Sequence, residues 1–122
     1  LNGKPGVYSA RFAGPGCTYQ DNNKKLLRLL SRIPESKRFA TFICVIAVYH
    51  GLKLIGIARG ECAGKISTRE KGLNGFGYDP IFIPEGYSKT FAELSPLVKN
   101  KISHRGKALR LAKELILKFY RI

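Results

Sequence analysis

The longest apolar run in the chain, FATFICVIAVY from Phe39 to Tyr49, is almost unbroken in β-branched and aromatic residues. It predicts a strand covered on both faces and central in its sheet. His50 and Gly51 then make a turn and Leu52 to Ala58 returns as a second strand, so the pair reads as an antiparallel hairpin. Beyond Arg59 the residues GECAGKIST carry this strand toward a bend at Gly64, giving a long bent ribbon. Upstream the period is helical. Thr18 with Asp21 forms a capping box, and Tyr19, Leu26, Leu27, Leu30 and Ile33 share one stripe that Pro34 ends. Lys24, Lys25, Arg28 and Arg32 take the remaining face, read as solvated rather than as a reader of nucleic acid. Leu1 to Gly16, with its glycines and prolines around VYSARF, reads as an ordered loop of little regular structure. Downstream, Ile81 to Ile83 is a short strand turned by Pro84 to Gly86, and Thr90 caps the brief segment Phe91 to Leu94. Ser95 before Pro96 opens one helix and Ser103 caps another. In that last helix Ala108, Leu111, Ala112, Leu115, Ile116 and Phe119 form a stripe expected to pack on the sheet.

Length and charge narrow this picture. The 122 residues suit a single domain, 1–122, and 44% hydrophobic content supports a core. With 22 Lys and Arg against 8 Asp and Glu, the net charge is +14, which favours anionic partners. The cations are scattered rather than gathered in one tract, so charge alone leaves a polyphosphate and a nucleic-acid duplex both open. Cys17, Cys44 and Cys62 are odd in number with no metal or redox spacing, as expected in a reducing cytoplasm. No run reaches the ~18 apolar residues of a membrane span, and a soluble protein is expected. No methionine occurs, so Leu1 is not read as an encoded start, and the chain is expected to be a fragment, a processed product or an incomplete gene model.

Two stretches carry candidate chemistry. In GLNGFGYDPIFIP, Gly72 to Pro84, the glycines Gly72, Gly75 and Gly77 let the backbone come close to a ligand, and Phe76 and Tyr78 offer flat faces beside Asp79. An aromatic face beside a hydrogen-bonding edge suits an isolated nucleobase. A tight turn whose aromatics fill the core, with Asp79 capping its own turn before Pro80, is the alternative. In SPLVKNKISHRGKALRLAKELILKFY, His104 and Arg105 fall in the first turn of a helix, where the dipole disfavours cations. With Lys99 they form a cluster of donors. Lys and Arg have no acceptor, so they suit a phosphate or a 6-oxo purine over an amino group; a solvated basic helix end is the alternative. Ser9 and Arg11 are further candidate ligand contacts, with a surface loop as the other reading of Arg11. His50, alone at a turn, is given no role.

GFGYDPIF, KNKISHRGKAL and, near the start, YSARFAG closely resemble the inosine triphosphate pyrophosphatase family, over nearly the whole chain from Leu1 to about Leu117. The resemblance implies hydrolysis of non-standard purine nucleoside triphosphates (ITP, dITP, XTP) to monophosphate and pyrophosphate, using Mg²⁺ and an Asp-activated water. It also implies a mixed α/β fold, with a long bent central sheet flanked by helices and a nucleotide cleft between two lobes, and a cytoplasmic homodimer. It places Phe76, Gly77, Tyr78, Asp79, Lys99, His104 and Arg105 in the substrate-binding site. The family's phosphate-binding loop, metal-binding Glu and Asp-Asp-Ser-Gly segment precede the position of Leu1, so no catalytic residue and no metal ligand is assigned in this chain. The N-terminal portion of the fold is expected to be missing. The rival readings are a small basic nucleic-acid-binding module and a catalytically inactive remnant of the family.

Overall fold

A computed structural model describes residues 1–121. The chain divides into two compact units, Leu1–Ala40 with Gly64–Leu94, and Thr41–Ala63 with Ser95–Ile122.

In the first unit, helix α1 (Tyr19–Leu29) begins as its cap predicts. Asp21 N–H donates to Thr18 Oγ1 at 3.1 Å and Thr18 N–H donates to Asp21 Oδ2 at 2.9 Å. The hydrogen bonds from Thr18 hold the Asp21 carboxyl below its ordinary pKa. The helix stops at Leu29, before the expected end at Pro34. The reason is Arg38, only 6% exposed, which donates to the carbonyls of Ile33 (2.8 Å), Leu30 (2.7 Å) and Ser67 (3.0 Å). A guanidinium that satisfies the carbonyls released by α1 replaces further turns of helix. Ile33 leaves the stripe and is exposed, as is Tyr19. Gly6–Arg11, expected as irregular loop, is a short 3-10 turn kinked at Tyr8.

The core of this unit is the region around Ile81, Phe82, Phe91 and Ala92, all essentially inaccessible, with the rings of Phe82 and Phe91 5.1 Å apart. A tight turn at Asp79–Ile81 precedes the short strand β3 (Phe82–Pro84), which begins one residue later than expected. Thr90 does not cap with its hydroxyl, which donates instead to the Lys71 carbonyl at 2.7 Å. Glu93 supplies the local bond, accepting from Thr90 N–H at 3.0 Å.

In the second unit lies most of the hairpin formed by β1 (Phe39–His50) and β2 (Lys53–Ile66). A two-residue turn joins them, a connection that only antiparallel strands permit. The sheet order is β1-β2-β3, and β2 pairs with β3 antiparallel, Gly64 opposite Pro84 and Ile66 opposite Phe82. The central strand is therefore β2, and the expectation that Phe39 to Tyr49 is central is corrected. Along β1 every second residue is exposed, including Phe39, Ile43, Val45 and Tyr49. An unbroken apolar run does not reveal which strand has neighbours on both edges.

Helix α2 (Pro96–Ile102) and helix α3 (His104–Phe119) complete this unit. Gly60 of β2 makes the closest approach to α3, since a Cβ there would overlap the His104 carbonyl oxygen and lie 2.6 Å from Ala108 N. Ala108 and Ala112, small and buried, continue that contact, and a Cβ at Gly56 would come 3.1 Å from Leu115 Cδ1. The expected stripe on α3 is thus narrower than its periodicity implied, because Leu111, Ile116 and Phe119 remain exposed.

The Gly60→Ala substitution should destabilise the chain by about 3 kcal/mol, since backbone rather than a flexible side chain blocks the added methyl. Urea unfolding checks this. An unchanged midpoint would show that α3 shifts freely over β2.

Candidate functional site

Polar contacts within the first unit hold the glycine-rich loop. Asp79, 5% exposed, accepts from Phe76 N–H at 3.0 Å through Oδ2, closing the turn that carries the ring. Asn23 on α1, 2% exposed, donates through Nδ2 to the Gly77 carbonyl at 3.1 Å. The Tyr78 hydroxyl donates to the Ser9 carbonyl at 2.7 Å, tying the loop to the Gly6–Arg11 turn. At the other end Gly72 has φ +94° and lies against Ala92, whose carbonyl oxygen would be 2.6 Å from any Cβ, so only glycine fits there. Phe76 stays 47% exposed, with its centroid 6.3 Å from the Tyr19 ring. The result is a fixed backbone presenting a half-exposed aromatic face next to glycine, a surface on which a flat ring can stack.

Of the anticipated substrate residues, this loop therefore groups Phe76, Gly77, Tyr78 and Asp79. Asp79 accepts from the Phe76 N–H within this loop. Ser9 contributes a backbone carbonyl. Asn23 belongs to no motif, nor does its neighbour Asn22, also 2% exposed. Asn22 accepts from Ala13 N–H at 2.8 Å and donates to the Ala10 carbonyl at 3.0 Å. The available signal was two consecutive asparagines inside a helix, where their propensity is poor and a tertiary hydrogen bond is the usual compensation.

In the second unit, Lys99, His104 and Arg105 gather around the junction of α2 and α3. Ser95 Oγ accepts from Val98 N–H at 3.3 Å with Pro96 in the first turn, and Ser103 Oγ accepts from Gly106 N–H at 3.0 Å. Ser103 N–H also donates to the Lys99 carbonyl at 2.8 Å, so one residue ends α2 and starts α3. Arg110 braces the corner by donating to the carbonyls of Asn100 (3.1 Å) and Lys101 (2.8 Å). Lys99 and His104 are half-buried and Arg105 is exposed. The His104 ring meets Phe42 edge to face at 5.0 Å, which fixes its plane. The corner offers donors from a braced backbone, suited to an oxygen-bearing partner.

Among the described residues no group of three or more His, Cys, Asp and Glu is placed to hold a metal ion, and no helix is long and apolar enough to cross a membrane.

Comparison with known proteins gives a consistent result. The Ham1 family profile matches residues 1–115. A dITP/XTP pyrophosphatase of Caldanaerobacter subterraneus is 56% identical over 118 residues, covering 97% of this chain and 58% of that relative. The structure of the Staphylococcus aureus Ham1 protein superposes with a TM-score of 0.88 at 39% identity, covering 98% of this chain and 61% of that one. A HAM1 protein from Coxiella burnetii gives 0.87 at 40% identity, covering 97% and 61%. The chain thus spans about three-fifths of the length of the proteins it matches.

The Tyr78 phenol is pushed up from 10.0 to about 12, first by burial and second by the negative charge of Cys17 when ionised. The folded protein holds this proton more tightly than the unfolded chain does. Its contribution to stability is complete below pH 10 and disappears as pH rises through about 12. Tyr78→Phe should cost about 1 kcal/mol at neutral pH through the lost bond to Ser9. The wild type should then lose stability more steeply than this variant across that alkaline window, as read by denaturant midpoints. Parallel curves for the two proteins would exclude a half-buried, hydrogen-bonded phenol.

Proposed function

The chain belongs to the Ham1 family, and on that premise we propose that it carries the base-recognising part of an enzyme that hydrolyses non-standard purine nucleoside triphosphates. The products are the monophosphate and pyrophosphate, and the substrates ITP, dITP and XTP. Relatives named dITP/XTP pyrophosphatase support the reading. Residues 1–122 are taken as the C-terminal part of one such domain, acting in a cytoplasmic homodimer. The observation that carries the proposal is Phe76, half-exposed on a loop whose backbone is pinned from both sides by Asp79 and Asn23.

In this reading Phe76 stacks on the purine, contributing roughly 1–3 kcal/mol, while the backbone at Gly77 admits the ring edge. Tyr78 and Asp79 hold the loop in its receiving shape. In the second unit, Lys99, His104 and Arg105 are read as donors suited to a 6-oxo group. Adenine presents an amino donor there, leaving both sides unpaired, and a desolvated site built for one pattern rejects the opposite one strongly. Mg²⁺, when bound, neutralises phosphate charge. The described residues do not themselves make a place for it, and none of the roles assigned here passes through the metal.

Binding measured by titration calorimetry separates the two roles. Phe76→Ala should weaken ITP and ATP alike, by about 5- to 150-fold, the loss expected of one stacked base. Arg105→Ala should weaken ITP by about tenfold or more and leave ATP nearly unchanged, so that discrimination falls. Equal affinities for ITP and ATP in the unaltered protein, or discrimination untouched by Arg105→Ala, would overturn the assignment.

A further inference from the structure

The first unit contains a solvent-open pocket of about 270 Å³ lined by Lys4, Pro5, Tyr8, Arg11, Phe12 and Lys25, of which Lys4, Tyr8 and Arg11 are exposed. Three cations and two aromatic rings meet there, and no carboxylate is in the lining. Among the described residues, two of the cations are held without an acidic partner. The Lys25 ammonium donates to the Phe12 carbonyl at 2.7 Å and lies 4.4 Å from the Phe12 ring centroid. The Arg11 guanidinium lies 4.9 Å from the centroid of Tyr8. A ring face and a carbonyl orient a cation while leaving its charge uncompensated. Lys25 has spent one of its three donors, and the fork of Arg11 lies over a ring rather than against an anion. Bringing like charges into one cavity is unfavourable until an anion enters, and several phosphate oxygens meet several donors better than a single carboxylate can.

We propose that this cavity binds a polyphosphate group through Lys4, Arg11 and Lys25. Its volume is below the roughly 300–1,000 Å³ of ordinary small-molecule pockets, which suits a compact polyanion better than a whole nucleotide. The group is either free inorganic polyphosphate or the phosphate tail of a nucleoside triphosphate. The site rests on the cavity alone and does not depend on the base recognition proposed above.

The test is calorimetry on the chain with inorganic tripolyphosphate and, separately, ITP. Tripolyphosphate should bind, and Arg11→Ala and Lys25→Ala should each weaken it about tenfold, the loss expected of one charge-assisted hydrogen bond. Lys25→Arg should retain most of the affinity, which separates loss of charge from loss of fold. Arg28→Ala, removing the same charge from α1 outside the cavity, should change affinity less than twofold. If the cavity variants weaken ITP too, the nucleotide tail is the occupant; if ITP is unaffected, free polyphosphate is. Phe76→Ala should leave tripolyphosphate binding intact, so failure of the base assignment and failure of this site give different results. Undetectable tripolyphosphate binding, cavity variants that bind as the wild type does, or an equal loss in Arg28→Ala would overturn the proposal.

Discussion

The amide of Asn23 donating to the Gly77 carbonyl is the contact on which the candidate base loop depends. Asn23 is buried, so removing its partner would leave a desolvated amide at a cost of about 1–3 kcal/mol, and the loop is held to one path by that penalty. Asp79 then takes the Phe76 N–H, and the ring has little choice of direction. Helix α1 thus acts on the site through a polar residue pointing inward, although its amphipathic pattern advertises only an apolar stripe.

The same economy of carboxylates runs through the molecule. With 22 basic side chains and 8 acidic ones, most cations cannot find a carboxylate, and the structure orients several of them by carbonyls instead. Arg38 serves three carbonyls, Arg110 two and Lys107 the carbonyl of Glu61, while Lys25 combines a carbonyl with a ring face. A carbonyl-held cation is fixed in place without being neutralised. The basic balance that in the sequence pointed only to some anionic partner becomes, in the structure, a set of positioned and uncompensated charges.

Local chemistry was legible from the residues. Thr18 with Asp21, Ser95 with Pro96, and Ser103 each cap the helix that their side chains announce, because a cap is satisfied within a few residues of itself. The hairpin turn followed for the same reason. What the sequence could not reveal was set by partners distant along the chain. The early end of α1 needs Arg38 to fold back, the edge position of β1 depends on where β3 pairs, and the inward asparagines depend on loops that arrive from elsewhere. In the candidate site, the loop and the donor corner were read from their motifs, whereas the residues that hold them, Asn23 and Arg110, carry no motif of their own.

Ser103 belongs to two helices at once, closing α2 with its N–H and opening α3 with its hydroxyl. Gly106 seals that corner, since any Cβ there would overlap the Asn100 carbonyl oxygen. No slack remains between Lys99 and Arg105 for the backbone to absorb a change in length. One inserted residue in α3 after the corner would rotate everything beyond it by roughly 100°, a full change of helical face. Substitutions can retune the chemistry of this segment, but its residue count behaves as a fixed mechanical dimension.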